Sequence, residues 1–148
     1  MQSSRSAVRV LVVDDDVDTV QTLADFLRMQ GLEVAAATSG QQALALAEQV
    51  RPHVAFVDLG MNDISGYLVA IRLRRTRWGE SMALAAVSGW SGPKDKQRAL
   101  LAGFDTHMTK PAQPQDLLGF IAQRAPRDPR HDAQAGAQLN AQMSSQMS

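Results

Sequence analysis

The stretch Val8-Arg9-Val10-Leu11-Val12-Val13-Asp14-Asp15-Asp16 decides the fold. Its apolar, β-branched part reads as a strand covered on both faces, and it breaks off at three adjacent carboxylates. Three acids side by side repel one another unless something positive lies among them, most simply a hard divalent cation. Beyond them the period changes. Val20, Leu23, Ala24 and Leu27 recur at i, i+3, i+4 and i+7, which predicts a helix with Asp16 as its N-cap and Gly31 as its stop.

The same alternation continues along the chain. Leu32 to Ala36 reads as a strand, and Thr38-Ser39-Gly40 opens a helix with Ala43, Leu44, Ala47 and Val50 inward, ended by Arg51-Pro52. His53 to Val57 is the next strand and runs into Asp58. A turn-rich loop, Leu59-Gly60-Met61-Asn62-Asp63, leads to a helix marked by Ile64, Leu68 and Ile71. The arginines that close it, Arg72, Arg74, Arg75 and Arg77, read as a solvated face favoured by the helix dipole rather than as a nucleic-acid site. Ala83 to Val87 is a strand ending at Ser88-Gly89, and Pro93 and Gly103 bound a helix. Thr106-His107-Met108 is a short strand ending at Thr109-Lys110-Pro111. A last helix from about Pro114 buries Leu117, Leu118 and Ile121. Strict β-α alternation implies a mostly parallel sheet with helices on both faces. His53 and Met29 are expected in or beside the core, and Trp78 and Met82 under a loop.

The chain has 148 residues, enough for one domain with a tail. The expected division is a flexible N-terminus over 1–7, one domain over 8–124, and a disordered tail over 125–148, whose Gln, Ser, Ala and Asp bury too little apolar surface to offset ordering. Lys plus Arg and Asp plus Glu number 15 each, so no overall charge draws it to nucleic acid or an acidic membrane. The absence of cysteine excludes thiolate chemistry and disulfides and suits a reducing compartment. No apolar run is long enough to span a bilayer, so the expected place is the cytoplasm.

Ligands of an open α/β sheet bind outside the carboxyl ends of its strands. Successive strands here end in Asp14 and Asp15, in Asp58, in Ser88 and in Lys110. Acids with one amine and one hydroxyl suit Mg²⁺ and a phosphoryl group: the acids take the metal, and the amine and hydroxyl face phosphoryl oxygens.

Four stretches together, Val12-Val13-Asp14-Asp15-Asp16, Val57-Asp58-Leu59-Gly60-Met61, Ser88-Gly89 and Lys110-Pro111, resemble the receiver domains of two-component response regulators of the stand-alone, CheY-like kind. The resemblance runs from about Val8 to Arg124. It implies a flavodoxin-like (βα)5 doubly wound parallel sheet with strand order 2-1-3-4-5. It also implies that Asp58 is the phosphoacceptor for a histidine kinase or histidine phosphotransfer protein. Asp15, Asp58 and the Gly60 carbonyl would hold Mg²⁺ directly, and Asp14 largely through water. Lys110 would pair with Asp58 before reaction and with the phosphoryl group after it, across a cis Lys110-Pro111 peptide. Ser88 and His107 would form the switch. No output domain follows Arg124 in this sequence, so the signal is expected to leave through protein contacts over 93–123.

Two departures from the family pattern stand out: Asn62 replaces a usual proline, and His107 a usual Tyr or Phe. Gly60 and Trp90 lie where family members tune the acyl phosphate, and imply a lifetime that is not unusually short. Two rival readings stay open, and a third, an EF-hand, is set aside. Asp16-Val17-Asp18-Thr19-Val20 imitates the nucleophile motif of haloacid-dehalogenase-type phosphohydrolases, although no acidic pair follows Lys110. A pseudo-receiver would act only as an interaction module. An EF-hand starting at Asp14 lacks its glycine and its final glutamate, having Thr19 and Asp25 there.

Overall fold

The computed structural model describes residues 7–89 and 92–124. Ten elements alternate among the described residues: β1 (Arg9–Val13), α1 (Val17–Met29), β2 (Glu33–Ala37), α2 (Gly40–Val50), β3 (Val54–Asp58), α3 (Gly66–Arg74), β4 (Ala83–Ser88), α4 (Pro93–Ala102), β5 (Thr106–Thr109) and α5 (Pro114–Arg124). The strands are all parallel, in the order β2-β1-β3-β4-β5, so the fold is the flavodoxin-like one expected. The expectations for residues 1–6, for Trp90 and for the tail from 125 onward lie outside the described residues.

Period-2 alternation in the central strands sorts the core into two layers. Leu11, Val13, Ala55, Val57, Leu84 and Ala86 face one way, onto α2, α3 and α4. Val10, Val12, Val54, Phe56, Ala83 and Ala85 face the other, onto Val20 and Leu27 of α1 and Leu117, Phe120 and Ile121 of α5. Phe56 meets Phe120 edge-on, with ring centroids 5.8 Å apart. Because the order reverses between β1 and β3, helices leave in opposite directions there and open a crevice at the carboxyl ends of those two strands.

The helix ends follow local chemistry. Asp16 caps α1, its carboxylate accepting from Asp18 N at 3.1 Å and from Thr19 Oγ1 at 2.9 Å. Ser39 and Ser65 do the same for α2 and α3, and Pro93 opens α4. Gly103 ends α4 at φ 117°, a conformation that favours glycine.

Three expectations need correction. In α3 the buried side chains are Val69, Ala70 and Leu73, whereas Leu68 is exposed and Ile64 precedes the helix. Met29, in the last turn of α1, is 81 % exposed rather than at the core's edge. The arginine run after α3 is not wholly a solvated face, because Arg74 turns inward and donates to the carbonyls of Gly103, Gly79, Glu80 and Met82 and to Asp105.

Candidate functional site

Four strand ends converge at the crevice. Asp14 follows β1 directly, and its N–H continues the ladder to the Ala37 carbonyl at 3.1 Å. Asp58 is the last residue of β3, in register with Val87 of β4. Ser88 closes β4, and its carbonyl accepts from Lys110 N at 2.8 Å. Lys110 follows β5 and joins Pro111 through a cis peptide.

The side chains then meet. Lys110 Nζ lies 3.1 Å from Asp14 Oδ2 and 3.2 Å from Asp58 Oδ2. The second oxygens are held by the backbone: Asp14 Oδ1 accepts from Asp16 N at 2.9 Å, and Asp58 Oδ1 from Gly60 N at 3.1 Å. Asp14, Asp58 and Ser88 are only 5 %, 4 % and 2 % exposed. They are the buried polar or charged residues among those described, so the molecule concentrates its buried polarity here. Asp15 is exposed beside them, and one carboxylate oxygen each from Asp14, Asp15 and Asp58 lie within 4.8 Å of one another.

One ammonium against three carboxylates leaves the cluster short of positive charge. Burial pushes the Asp14 carboxyl above its usual range, and the neighbouring Asp58 charge adds to this against the opposing pull of Asp16 N–H and Lys110. For Lys110, burial alone would lower the pKa, but the hydrogen bond and charge of Asp14 and those of Asp58 prevail and raise it. The lysine therefore stays an ammonium. An all-oxygen donor set with excess negative charge and a partly exposed rim fits a hard divalent cation such as Mg²⁺. The crevice continues as a groove of about 710 Å³ between α1 and α5, past Asp18, Thr22, Phe56 and Leu117.

Residues 10–122 match the family model of the response regulator receiver domain. The chain belongs to that family. It is 33 % identical over 114 residues to an uncharacterised 14.6 kDa protein of Leptolyngbya boryana, covering 77 % of this chain and 87 % of the relative. The chemotaxis protein CheY4 of Vibrio cholerae superposes with a TM-score of 0.76 at 26 % identity, over 80 % of this chain and 99 % of that one. A chain of the Saccharomyces cerevisiae complex between the histidine phosphotransfer protein Ypd1 and the receiver domain of the response regulator Ssk1 matches at TM-score 0.74 and 25 % identity, over 81 % and 90 %. This receiver is thus a two-component signalling module rather than an enzyme of the usual kind, and its family supports a phosphoacceptor role. The hydrolase alternative falls with that membership, and its supposed motif has another use, since Asp16 caps α1.

The geometry brings Asp14, Asp15, Asp58 and Lys110 together, with Ser88 buried at the neighbouring strand end and Gly60 two residues beyond Asp58. His107 lies apart, in β5 opposite Ala86, with both ring nitrogens buried and unpartnered among the described residues. Sequence reasoning passed over Asp63, whose carboxylate accepts from Gly40 N and Gln41 N at 2.9 Å each. An aspartate in a turn carries no signal that its partners are the first two N–H groups of a helix, 23 and 22 residues earlier.

Proposed function

We propose that this receiver accepts a phosphoryl group on Asp58 from the phosphohistidine of a kinase or phosphotransfer protein, in the cytoplasm, and passes the signal on through protein contacts. The observation that carries this reading is the Asp58 carboxylate, buried yet held 3.2 Å from Lys110 Nζ beside two further acids. A buried carboxylate kept beside an ammonium and aligned by a backbone N–H is an oriented nucleophile. In the transfer, an Asp58 oxygen forms a bond to phosphorus as the donor's N–P bond breaks. The electron pair stays on the imidazole nitrogen, which takes up a proton, and Asp58 becomes an acyl phosphate.

Asp14, Asp15, Asp58 and the Gly60 carbonyl would hold Mg²⁺, which when bound supplies charge neutralisation for the phosphoryl oxygens. Lys110 releases Asp58 Oδ2 and pairs with the new group, and Ser88 donates its hydroxyl to it. Phosphorylation adds about −1.5 to −2 charges, enough to recruit both donors. His107 supplies the output step. Among the described residues neither ring nitrogen finds a partner in its buried position, so the ring gains hydrogen bonds by moving and its resting position is weakly held. The surface over 93–123, from α4 through α5, then carries the signal, as β5 links Lys110 to both helices. The relative co-crystallised with Ypd1 supports a phosphotransfer protein as one class of donor.

Intact-mass measurement tests the reading. With Mg²⁺ and acetyl phosphate the protein should gain one phosphoryl group, and Asp58→Asn should gain none. Uptake that survives the substitution, or no uptake by the unmodified chain, overturns it.

A further inference from the structure

The loop after Asp58 must hold the Gly60 carbonyl in place, yet at residue 62 it has asparagine, which leaves its φ free. Something else fixes it. The first N–H groups of a helix have no intrahelical partner, and at α2 they are satisfied from two sources. Ser39, the N-cap, accepts from Gln42 N through its side chain at 3.1 Å and from Ala43 N through its carbonyl at 3.0 Å. Gly40 N and Gln41 N instead donate to Asp63, one to each carboxylate oxygen, at 2.9 Å. The next residue completes the lock: Ile64 lies so close that a Cβ on Gly40 would fall 2.8 Å from the Ile64 Cβ.

This clasp closes a circuit around the site. From Asp58 the chain runs through Gly60 to Asp63, crosses to the start of α2, and returns through Ala37, whose carbonyl accepts from Asp14 N. The loop bearing Gly60 is thereby tied to the strand end bearing Asp14 and Asp15. The two N–H donors, that of Gln41 first, also hold the exposed Asp63 carboxyl below its usual range, so it is ionised at neutral pH.

We infer that Asp63 is a positioning residue for the metal site: its bidentate clasp on the start of α2 sets where the Gly60 carbonyl stands relative to Asp14, Asp15 and Asp58. This rests on the metal-dependent reading above. Asp63 stands outside the cluster of Asp14, Asp15 and Asp58, with both carboxylate oxygens given to the start of α2.

The test compares Asp63→Ala and Asp63→Asn with Ser39→Ala, which removes the other cap of the same helix end without touching the loop. Mg²⁺ alone is titrated calorimetrically into each folded protein, and phosphoryl uptake from acetyl phosphate is timed at low and at saturating Mg²⁺. Asp63→Ala should weaken Mg²⁺ binding about tenfold and slow uptake at low Mg²⁺, with the rate at saturation within about twofold of the parent. Asp63→Asn, which keeps one acceptor oxygen, should fall between. Ser39→Ala should lower the thermal midpoint about as much as Asp63→Ala while leaving Mg²⁺ affinity unchanged. If Asp63→Ala binds Mg²⁺ like the parent, or no more weakly than Ser39→Ala, the clasp is only a helix cap and the inference falls alone. If the parent binds no Mg²⁺, the metal-dependent reading falls and takes the inference with it.

Discussion

At the carboxyl end of the sheet Lys110 serves two buried carboxylates with a third alongside, whereas at the amino end Arg74 has all three of its guanidinium nitrogens engaged. Arg74 Nε donates to the Gly103 carbonyl at 2.8 Å, Nη1 to carbonyls of the turn over 79–82, and Nη2 to Asp105 Oδ2 at 3.0 Å. Asp105 Oδ2 in turn accepts from Leu84 N at 2.8 Å. Arg9 works similarly, its guanidinium closing the end of α2 on the carbonyls of Val50 and Arg51. Charge density is not what separates these regions. Where opposite charges and carbonyls use up the donors, charge ties elements together. Where like charges are buried with too few counter-charges, the fold keeps a standing demand for a cation, and that demand is a binding site.

The largest effect should come from breaking the amino end. Arg74→Met keeps the stem but strips a ring of carbonyls of their guanidinium donor and leaves Asp105 to Leu84 N and a 3.7 Å pairing with Arg124, and should cost about 3 kcal/mol in urea denaturation. Phosphoryl uptake by the folded fraction should be unaffected. A cost below about 1 kcal/mol would mean that the arginine is as dispensable as a surface charge, and the contrast would fail.

The opposite sign is expected at the carboxyl end. Asp14→Asn preserves an acceptor for Asp16 N while removing a carboxylate that burial and Asp58 already disfavour. Stability should rise by on the order of 1 kcal/mol. Mg²⁺ affinity should drop tenfold or more in the same protein. Loss of stability together with affinity would show that the acid is held for packing rather than for a ligand.

The difference between the two ends also explains what the sequence could show. Strand ends were legible because β-branched runs stop at charged or small residues, so Asp14, Asp58, Ser88 and Lys110 declared themselves by position alone. The face of α3 was not, because Tyr67, Leu68, Val69, Ala70, Ile71 and Leu73 are apolar nearly all round, and periodicity cannot set a phase there. Its buried side follows from Gly66, where a Cβ would lie 2.8 Å from Leu59 Cα, so the helix starts pressed against the strand end. Met29 was misplaced because the chain turns at Gln30 and Gly31 before the pattern has ended. Arg74 and Asp63 bind groups far off in the chain, and a local reading gives a charge no distant partner.

His53 offers the finest probe of the amino end. Its Nδ1 accepts from Arg9 N at 3.0 Å, so the neutral ring is part of the structure and protonation at Nδ1 would set donor against donor. Burial first, and then the charge of Arg9, hold its pKa below the ordinary 6.5, with Glu33 opposing. As pH falls through 6.5 the unfolded chain takes up a proton at this residue that the fold still refuses. The unfolded state then binds more protons, so stability falls with pH from there down to the depressed folded value and levels off below it. His53→Gln retains an acceptor for Arg9 N and removes the titration. Denaturation between about pH 7.5 and 5.5 should therefore show a decline in the parent that is absent or reduced in the variant, smaller than either effect above because the ring is only partly buried. A parallel decline in both proteins would move the titrating group elsewhere and would leave the amino end without a pH-sensitive element.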